Sequence, residues 1–256
     1  MVETKITIIV SVLNGSKTLE RCLLSIFEQT YEPKEIIVID GFSNDGTVDI
    51  IKKYSANIDY WISEPDSGIY NAWNKAINKS SGEWICFLGC DDCWSSADSL
   101  LEIAKHALYP KFNFVSSKMY LVNKNGNIIS SVGNALNHKK LALGPRIAHV
   151  GALHHRSLFS TYGLFDESYK IAGDFEFLLR VSSSIKPAFV PRNLIFMENG
   201  GLSNLSINAT IHEGFRALNQ TKGFGFVPAI THCLIYYLAF LKRKALKLLF
   251  LSKKGY

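Results

Sequence analysis

The feature that most constrains this chain is a regular alternation, over its first ninety residues, of short apolar runs and amphipathic segments. Ile6 to Leu13, Glu35 to Asp40 and Trp84 to Leu88 are too continuously apolar to keep one face in water. They read as strands of a mostly parallel sheet covered on both sides. Ile58 to Ile62 supplies a further strand. Between them, Thr18 to Gln29 places Leu19, Leu23, Ile26 and Phe27 on one helical face, and Gly68 to Asn78 does the same with Ile69, Trp73, Ala76 and Ile77. Thr47 to Tyr54 gives a shorter helix. A strand–helix–strand succession of this kind requires right-handed crossovers and an α/β architecture.

Ligands of such sheets bind beyond the carboxyl ends of the strands. The polar residues that follow the strands are Asn14, Asp40 with Asp45, Asp66, and Asp91 with Asp92. They are distant in sequence yet share one edge of the sheet, which marks a site. The first strand runs into Asn14-Gly15-Ser16, so there is no glycine-rich dinucleotide fingerprint, and no phosphate-loop Gly-Lys-Ser/Thr occurs. Adjacent carboxylates such as Asp91 and Asp92 repel unless a cation or donors offset them. Hard divalent ions take oxygen ligands and share them with phosphates. Capping of the next helix by Asp92, Ser95 or Ser96 explains one carboxylate and leaves the other unexplained. Asp40 falls where the ring or ribose edge of a nucleotide lies in such folds. Asp45 is either part of that loop's chemistry or a turn residue capping the next helix.

The second half is more mixed. Phe112 to Ser117, Met119 to Val122, Ile128 to Val132, Val150 to His154, Ala188 to Val190 and Leu194 to Glu198 read as short strands. Ser157 to Tyr162, Asp174 to Ser183 and Leu205 to Gln220 read as helices. Asp174 opens its helix, where the dipole favours a carboxylate. Glu176 and Arg180, spaced i,i+4, suit an ion pair that leaves Asp174 free as a general base. His154 and His155 end a strand and are candidates for phosphate, acceptor or metal, or for a buried structural role.

The 256 residues carry a formal net charge of +6, and it is unevenly placed. Six of the 28 Lys+Arg lie in residues 226–256, which hold no acidic residue, while the other 22 balance all 22 Asp+Glu. Nucleic acid is therefore a poor partner for the main body. Phe226 to Leu241 is an uncharged run of 16 residues, below the roughly 20 needed to span a bilayer, followed by Lys242-Arg243-Lys244. Apolar bulk beside cations suits an anionic membrane surface; a terminal helix pair packed on the domain is the alternative. No signal peptide is evident. Five cysteines without small-domain spacing favour a reducing cytosol. Cys90 and Cys93 enclose two carboxylates, which raise a thiol's pKa and oppose redox chemistry.

Taken together these blocks resemble family 2 glycosyltransferases of the GT-A fold, in the bacterial polysaccharide-assembly, colanic-acid-type branch. The resemblance runs from about Lys5 to Ser203. It rests on Ile6 to Asn14, Glu35 to Thr47, Glu64 to Lys75, Phe87 to Asp92, Gly163 to Glu167, Asp174 to Arg180 and Asn199 to Ser203. It implies a Rossmann-like, mostly parallel sheet flanked by helices. Residues 1–220 would form the transferase domain, with a donor half over about 1–110 and an acceptor half over about 111–220. Residues 221–256 would be a basic amphipathic tail.

The resemblance also implies inverting transfer from a nucleotide-diphosphate-sugar to an acceptor hydroxyl. Val12, Asn14, Asp40, Asp45, Asp66, Lys75 and Asp91 would hold the donor, and Asp92 would hold Mn²⁺ or Mg²⁺. Asp174 would be the base, although Gly173 stands where the family usually has Glu. His154, Glu176 and Arg180 would lie on the acceptor side. A lipid-linked glycan acceptor and a cytoplasmic, peripheral location on the inner face of the plasma membrane complete the expectation. A nucleotidyltransferase would need a Gly-rich loop with Arg and Lys after the first strand, which is absent here. A noncatalytic nucleotide-sugar or glycan binder would be favoured by loss of Asp92 or Asp174, and both are present.

Overall fold

The strands form where β-branched residues run without a polar break. The computed structural model describes residues 4–142, 147–200 and 207–238. Its first half comprises β1 (Ile6–Val12), α1 (Leu19–Phe27), β2 (Lys34–Asp40), α2 (Thr47–Lys53), β3 (Tyr60–Ser63), α3 (Ile69–Lys79) and β4 (Trp84–Gly89). β5 (Cys93–Trp94) and α4 (Ser99–Ala107) follow. The second half contains β6 (Phe114–Val122), β7 (Ile128–Val132), α5 (His138–Leu141), β8 (Leu153–His155), α6 (Arg156–Tyr162), α7 (Gly173–Arg180), β9 (Pro187–Glu198) and α8 (Ile207–Gln220). A last helix, α9, occupies 226–238.

One sheet runs in the order β3-β2-β1-β4-β8-β6-β9-β5, with β7 paired to β6. β3, β2, β1 and β4 are mutually parallel, as the apolar runs require. Beyond β4 the sheet is mixed: β8 is antiparallel to both β4 and β6, β6 and β9 are parallel, and β5 is antiparallel to β9. Every residue of β1 is buried, because apolar layers cover both faces. Ile8, Val10 and Val12 face Leu23 of α1, Ile51 of α2 and Ile103 of α4; Ile9, Ile37 and Ile39 face Trp73 of α3 and Phe177 of α7.

Two expected strand pairs are each one strand. β6 and β9 pair along their whole length through register shifts around Lys118. The polar residues there mark an irregularity within the pairing rather than an end. Val150 to His154 shortens and shifts to Leu153–His155. Part of the loop Asn199 to Asn204, and residues 239–256 of the tail, lie outside the described residues. Among the described residues no helix is long and apolar enough to cross a membrane.

Candidate active site

The carboxyl ends of β1 to β4 carry loops that are tied to one another. Asn14, at φ 52°, accepts from the Asn44 N–H through Oδ1 (3.1 Å) and donates its own N–H to Ser43 Oγ (2.7 Å). Asp45 accepts from the N–H groups of Ser16 (3.0 Å) and Thr47 (3.1 Å) and from the Thr47 hydroxyl. The Thr47 hydroxyl bond, then those backbone bonds, hold its carboxyl far below the usual range. Asp45 therefore closes the turn that leads into α2 and staples the loop after β1 to the loop after β2. Asp40 is fully buried at the end of β2. Its carboxylate accepts from the Ser43 N–H (3.0 Å), the Ser43 hydroxyl and the Ser63 hydroxyl (2.6 Å), so it organises the turn from beneath. Ser63 was not singled out by sequence, although it stands opposite Asp40 in the β2–β3 register.

Asp66 reaches this loop: a Cβ added at Gly41 would lie 2.7 Å from its Oδ2. Its Oδ1 accepts from Gly68 N–H at 2.9 Å, shaping the entry to α3. Lys75 sits one face along α3, paired to Glu64 (2.8 Å) and to the Pro65 carbonyl (3.1 Å). Val12 ends β1 beneath this loop. Its side chain is core, packed under Gly15, and its carbonyl is taken by the Gly41 N–H at 2.9 Å.

Asp91 and Asp92 converge above the end of β4. A Cβ added at Gly89 would meet Asp91 Oδ1 and Asp92 Oδ2, each at 2.8 Å. Only glycine leaves that space open. Burial raises the Asp92 carboxyl well above the usual range and the Asp91 charge adds to it, against bonds from the Gly89 and Glu198 backbone. Arg21 binds the Asp91 carbonyl (2.8 Å) and lies 3.7 Å from Glu198. Cys90, half-buried and beside Asp91, is pushed up to about 12 by desolvation and then by that charge, and Cys93 is raised as well, so these thiols are unreactive. Among the described residues no three His, Cys, Asp or Glu side chains gather around one point. Two converging oxygen donors, one of them desolvated, nevertheless fit a hard cation that would keep other ligands from water and phosphate.

Asp174 lies in the first turn of α7. Its Oδ1 accepts from the Phe175 N–H (2.8 Å) and the Tyr70 hydroxyl (3.3 Å), while burial raises its carboxyl. The single proton of that hydroxyl is shared with the nearer Ile171 carbonyl, at 2.8 Å. Position 173 has no room for a side chain, because a Cβ there would meet the Tyr70 ring at 2.7 Å. Glu213, nearly buried on α8, accepts from the N–H groups of Lys170, Ile171 and Ala172 at 2.8–2.9 Å and so fixes the segment before Asp174. The only sequence signal for Glu213 is a carboxylate one helical turn from the buried Ala217.

The three residues expected on the acceptor side do not share this place. His154 is fully buried, pairs with Ile85 near the amino end of β4, and is surrounded by Phe87, Phe114 and Phe159, the buried placement that the sequence left open beside an acceptor role. Burial, then neighbouring His149, pushes its ring well below the ordinary range. Glu176 and Arg180 form the expected pair, bidentate at 2.9 Å. Arg180 also binds the Tyr162 and Leu164 carbonyls, which ties α7 to the end of α6.

The model of the family described as Glycosyl transferase family 2 matches residues 7–168. A PGL/p-HBAD biosynthesis glycosyltransferase of Mycobacterium bovis is 30% identical over 211 residues, covering 79% of this chain and 80% of that protein. A mannosyltransferase from Pyrobaculum calidifontis, solved with GDP-Man and Mn²⁺, superposes with a TM-score of 0.68 at 19% identity, over 91% of this chain and 70% of that one. S. aureus TarS 1-349 with UDP-GlcNAc gives 0.67 at 18% identity, over 85% and 67%. These likenesses establish the GT-A fold for the mixed sheet and its flanking helices.

Proposed function

The chain belongs to glycosyl transferase family 2 and is a catalytic glycosyltransferase; from that premise we propose that it transfers a sugar, with inversion, from a nucleotide-diphosphate-sugar to an acceptor hydroxyl. The observation that carries this reading is the convergence of Asp91 and Asp92 over Gly89, on the edge where the loops after β1, β2 and β3 are tied together. The nucleotide sugars bound in the structural neighbours support the donor class. We place the reaction in bacterial cell-surface polysaccharide assembly of the colanic-acid type. The acceptor is a lipid-linked glycan met on the cytoplasmic face of the membrane.

Asp92, with Asp91 beside it, would hold the divalent cation, which when bound supplies positive charge for the leaving diphosphate. Asn14 and the Asp40 loop line the nucleotide side, with Asp40 and Asp45 acting by fixing the loops. Asp174 takes the proton of the acceptor hydroxyl. That oxygen then bonds to the anomeric carbon from the face opposite the diphosphate, whose bond to carbon breaks as nucleoside diphosphate departs. A raised carboxyl is the stronger base once ionised, so transfer should rise with pH through the Asp174 pKa.

Nucleotide release from a panel of nucleotide sugars, with Mn²⁺ and then with chelator, tests the reading. Asp174→Asn should lower kcat by about 10²–10⁴-fold with donor affinity unchanged. Asp92→Ala should abolish Mn²⁺-dependent donor binding in calorimetry. Transfer by Asp174→Asn within a few-fold of wild type would remove Asp174 from the role of base.

A further inference from the structure

Helix α9 (226–238) contains no charged residue, yet it lies on the surface. Its inner face is settled: Ala229 and His232 are buried, and the His232 ring stacks on Phe175 at 5.3 Å and 15°. Gly214 of α8 admits that ring, since a Cβ there would lie 2.5 Å from His232 Nε2. The outer face is apolar as well. Phe226, Val227, Ile230, Leu234, Tyr237 and Leu238 are all exposed, Val227 by 74% and Leu238 by 63%. At helical spacing they fall within roughly a third of the circumference. An open groove of about 490 Å³ between α8 and α9, bordered by Ile211, Phe215 and Leu234, extends the same surface.

A contiguous apolar patch on a helix without charges requires cover. The chain that follows points to its kind. Lys242, Arg243, Lys244, Lys247, Lys253 and Lys254 come directly after α9 with no acidic residue among them. Six cations without an anion among them complement a negatively charged surface, whereas a second copy of the chain carries the same positive excess. An anionic leaflet offers both the apolar layer and the opposite charge. We propose that the outer face of α9 is a membrane-docking surface, lying in the interface of an anionic bilayer. Because His232 packs on Phe175, next in sequence to Asp174, docking would set the base at a fixed position relative to the bilayer. The inference deepens the proposed lipid-borne acceptor and rests on it for its purpose, but its test uses neither donor nor acceptor.

The whole chain is sedimented with vesicles of phosphatidylcholine alone or mixed with phosphatidylglycerol. Binding to the anionic vesicles is expected, weakening as salt is raised. Leu234→Asp with Leu238→Asp should weaken it about tenfold or more, with donor turnover unchanged. As a second measurement, Leu238→Trp should be quenched by brominated acyl chains beyond the wild-type level. No binding to anionic vesicles, equal binding by the double variant, or no added quenching would overturn the proposal. So would a dimer in ultracentrifugation that the same substitutions dissociate while vesicles remain unbound. Vesicle binding without any nucleotide-sugar turnover would leave the docking surface standing and remove the transferase reading of the donor site.

Discussion

At the scale of single residues, the surroundings of Asp174 decide how readily it would serve as the proposed base. Burial disfavours its charged form, whereas the Phe175 N–H and the Tyr70 hydroxyl stabilise that form. Tyr70 also holds the Ile171 carbonyl, so one phenol sets both the carboxylate and the turn before it. Tyr70→Phe keeps the ring and removes the hydroxyl. With less stabilisation of the carboxylate, the acid limb of the kcat–pH profile should move to higher pH, and kcat should fall by about tenfold, the worth of roughly one charge-assisted hydrogen bond. A limb unchanged in position would reduce Tyr70 to a packing residue. The Gly173 departure from the family pattern acquires a cause here, because the Tyr70 ring fills the space a side chain would need. No spacing rule places residue 70 against residue 173, so the exchange was invisible in sequence. Asp40 shows the opposite case. Its position at a strand end was legible, but its full burial under Ser43 and Ser63 depends on the β2–β3 register, and its carboxylate is engaged by those two serines.

At the scale of elements, regularity was legible and irregularity was not. β1, β2 and β4 follow from unbroken apolar runs, and α1 and α3 from a single apolar stripe. β6 and β9 read as fragments because their shared bulge carries polar residues. The contact of α8 with α7 was equally hidden, since Glu213 works through backbone groups that any sequence would supply. It gives three consecutive N–H groups a carboxylate, as a cap donated from a different helix. Glu213→Ala should leave those donors without an acceptor and destabilise the fold by about 3 kcal/mol in urea unfolding. Transfer should fall as well, through the segment that carries Asp174, while donor affinity holds. Glu213→Gln keeps one amide oxygen as an acceptor and should recover part of both losses.

For the whole molecule, the informative feature is the join between the parallel quartet and the mixed strands. β8 makes that join, pairing with β4 on one side and β6 on the other. Two histidines are sealed in it: His154 on β8, and His149, stacked on Trp73 of α3 and Phe87 of β4. Burial lowers His149 to about 4, and burial together with His149 holds His154 well below the ordinary range. Both are neutral in the folded protein, whereas the unfolded chain takes up protons near pH 6.5. Below that pH the unfolded state binds more protons at these two sites, so their contribution to stability is complete above about pH 6.5 and declines as pH falls toward 4. For His149 alone the full loss is about 3 kcal/mol, at about 1.4 kcal/mol per pH unit. Urea midpoints taken between about pH 7 and pH 4 should show this decline. His149→Phe, which keeps a ring against Trp73 and Phe87, should flatten it by about the share of one histidine. An unchanged slope in that variant would place the acid sensitivity elsewhere. Because these groups lie at the join rather than at the carboxyl edge, acid should part the second half from the parallel quartet while the ties among the loops after β1 and β2 persist. Hydrogen exchange under mildly acidic conditions should therefore show β8 losing protection before β1 and β2.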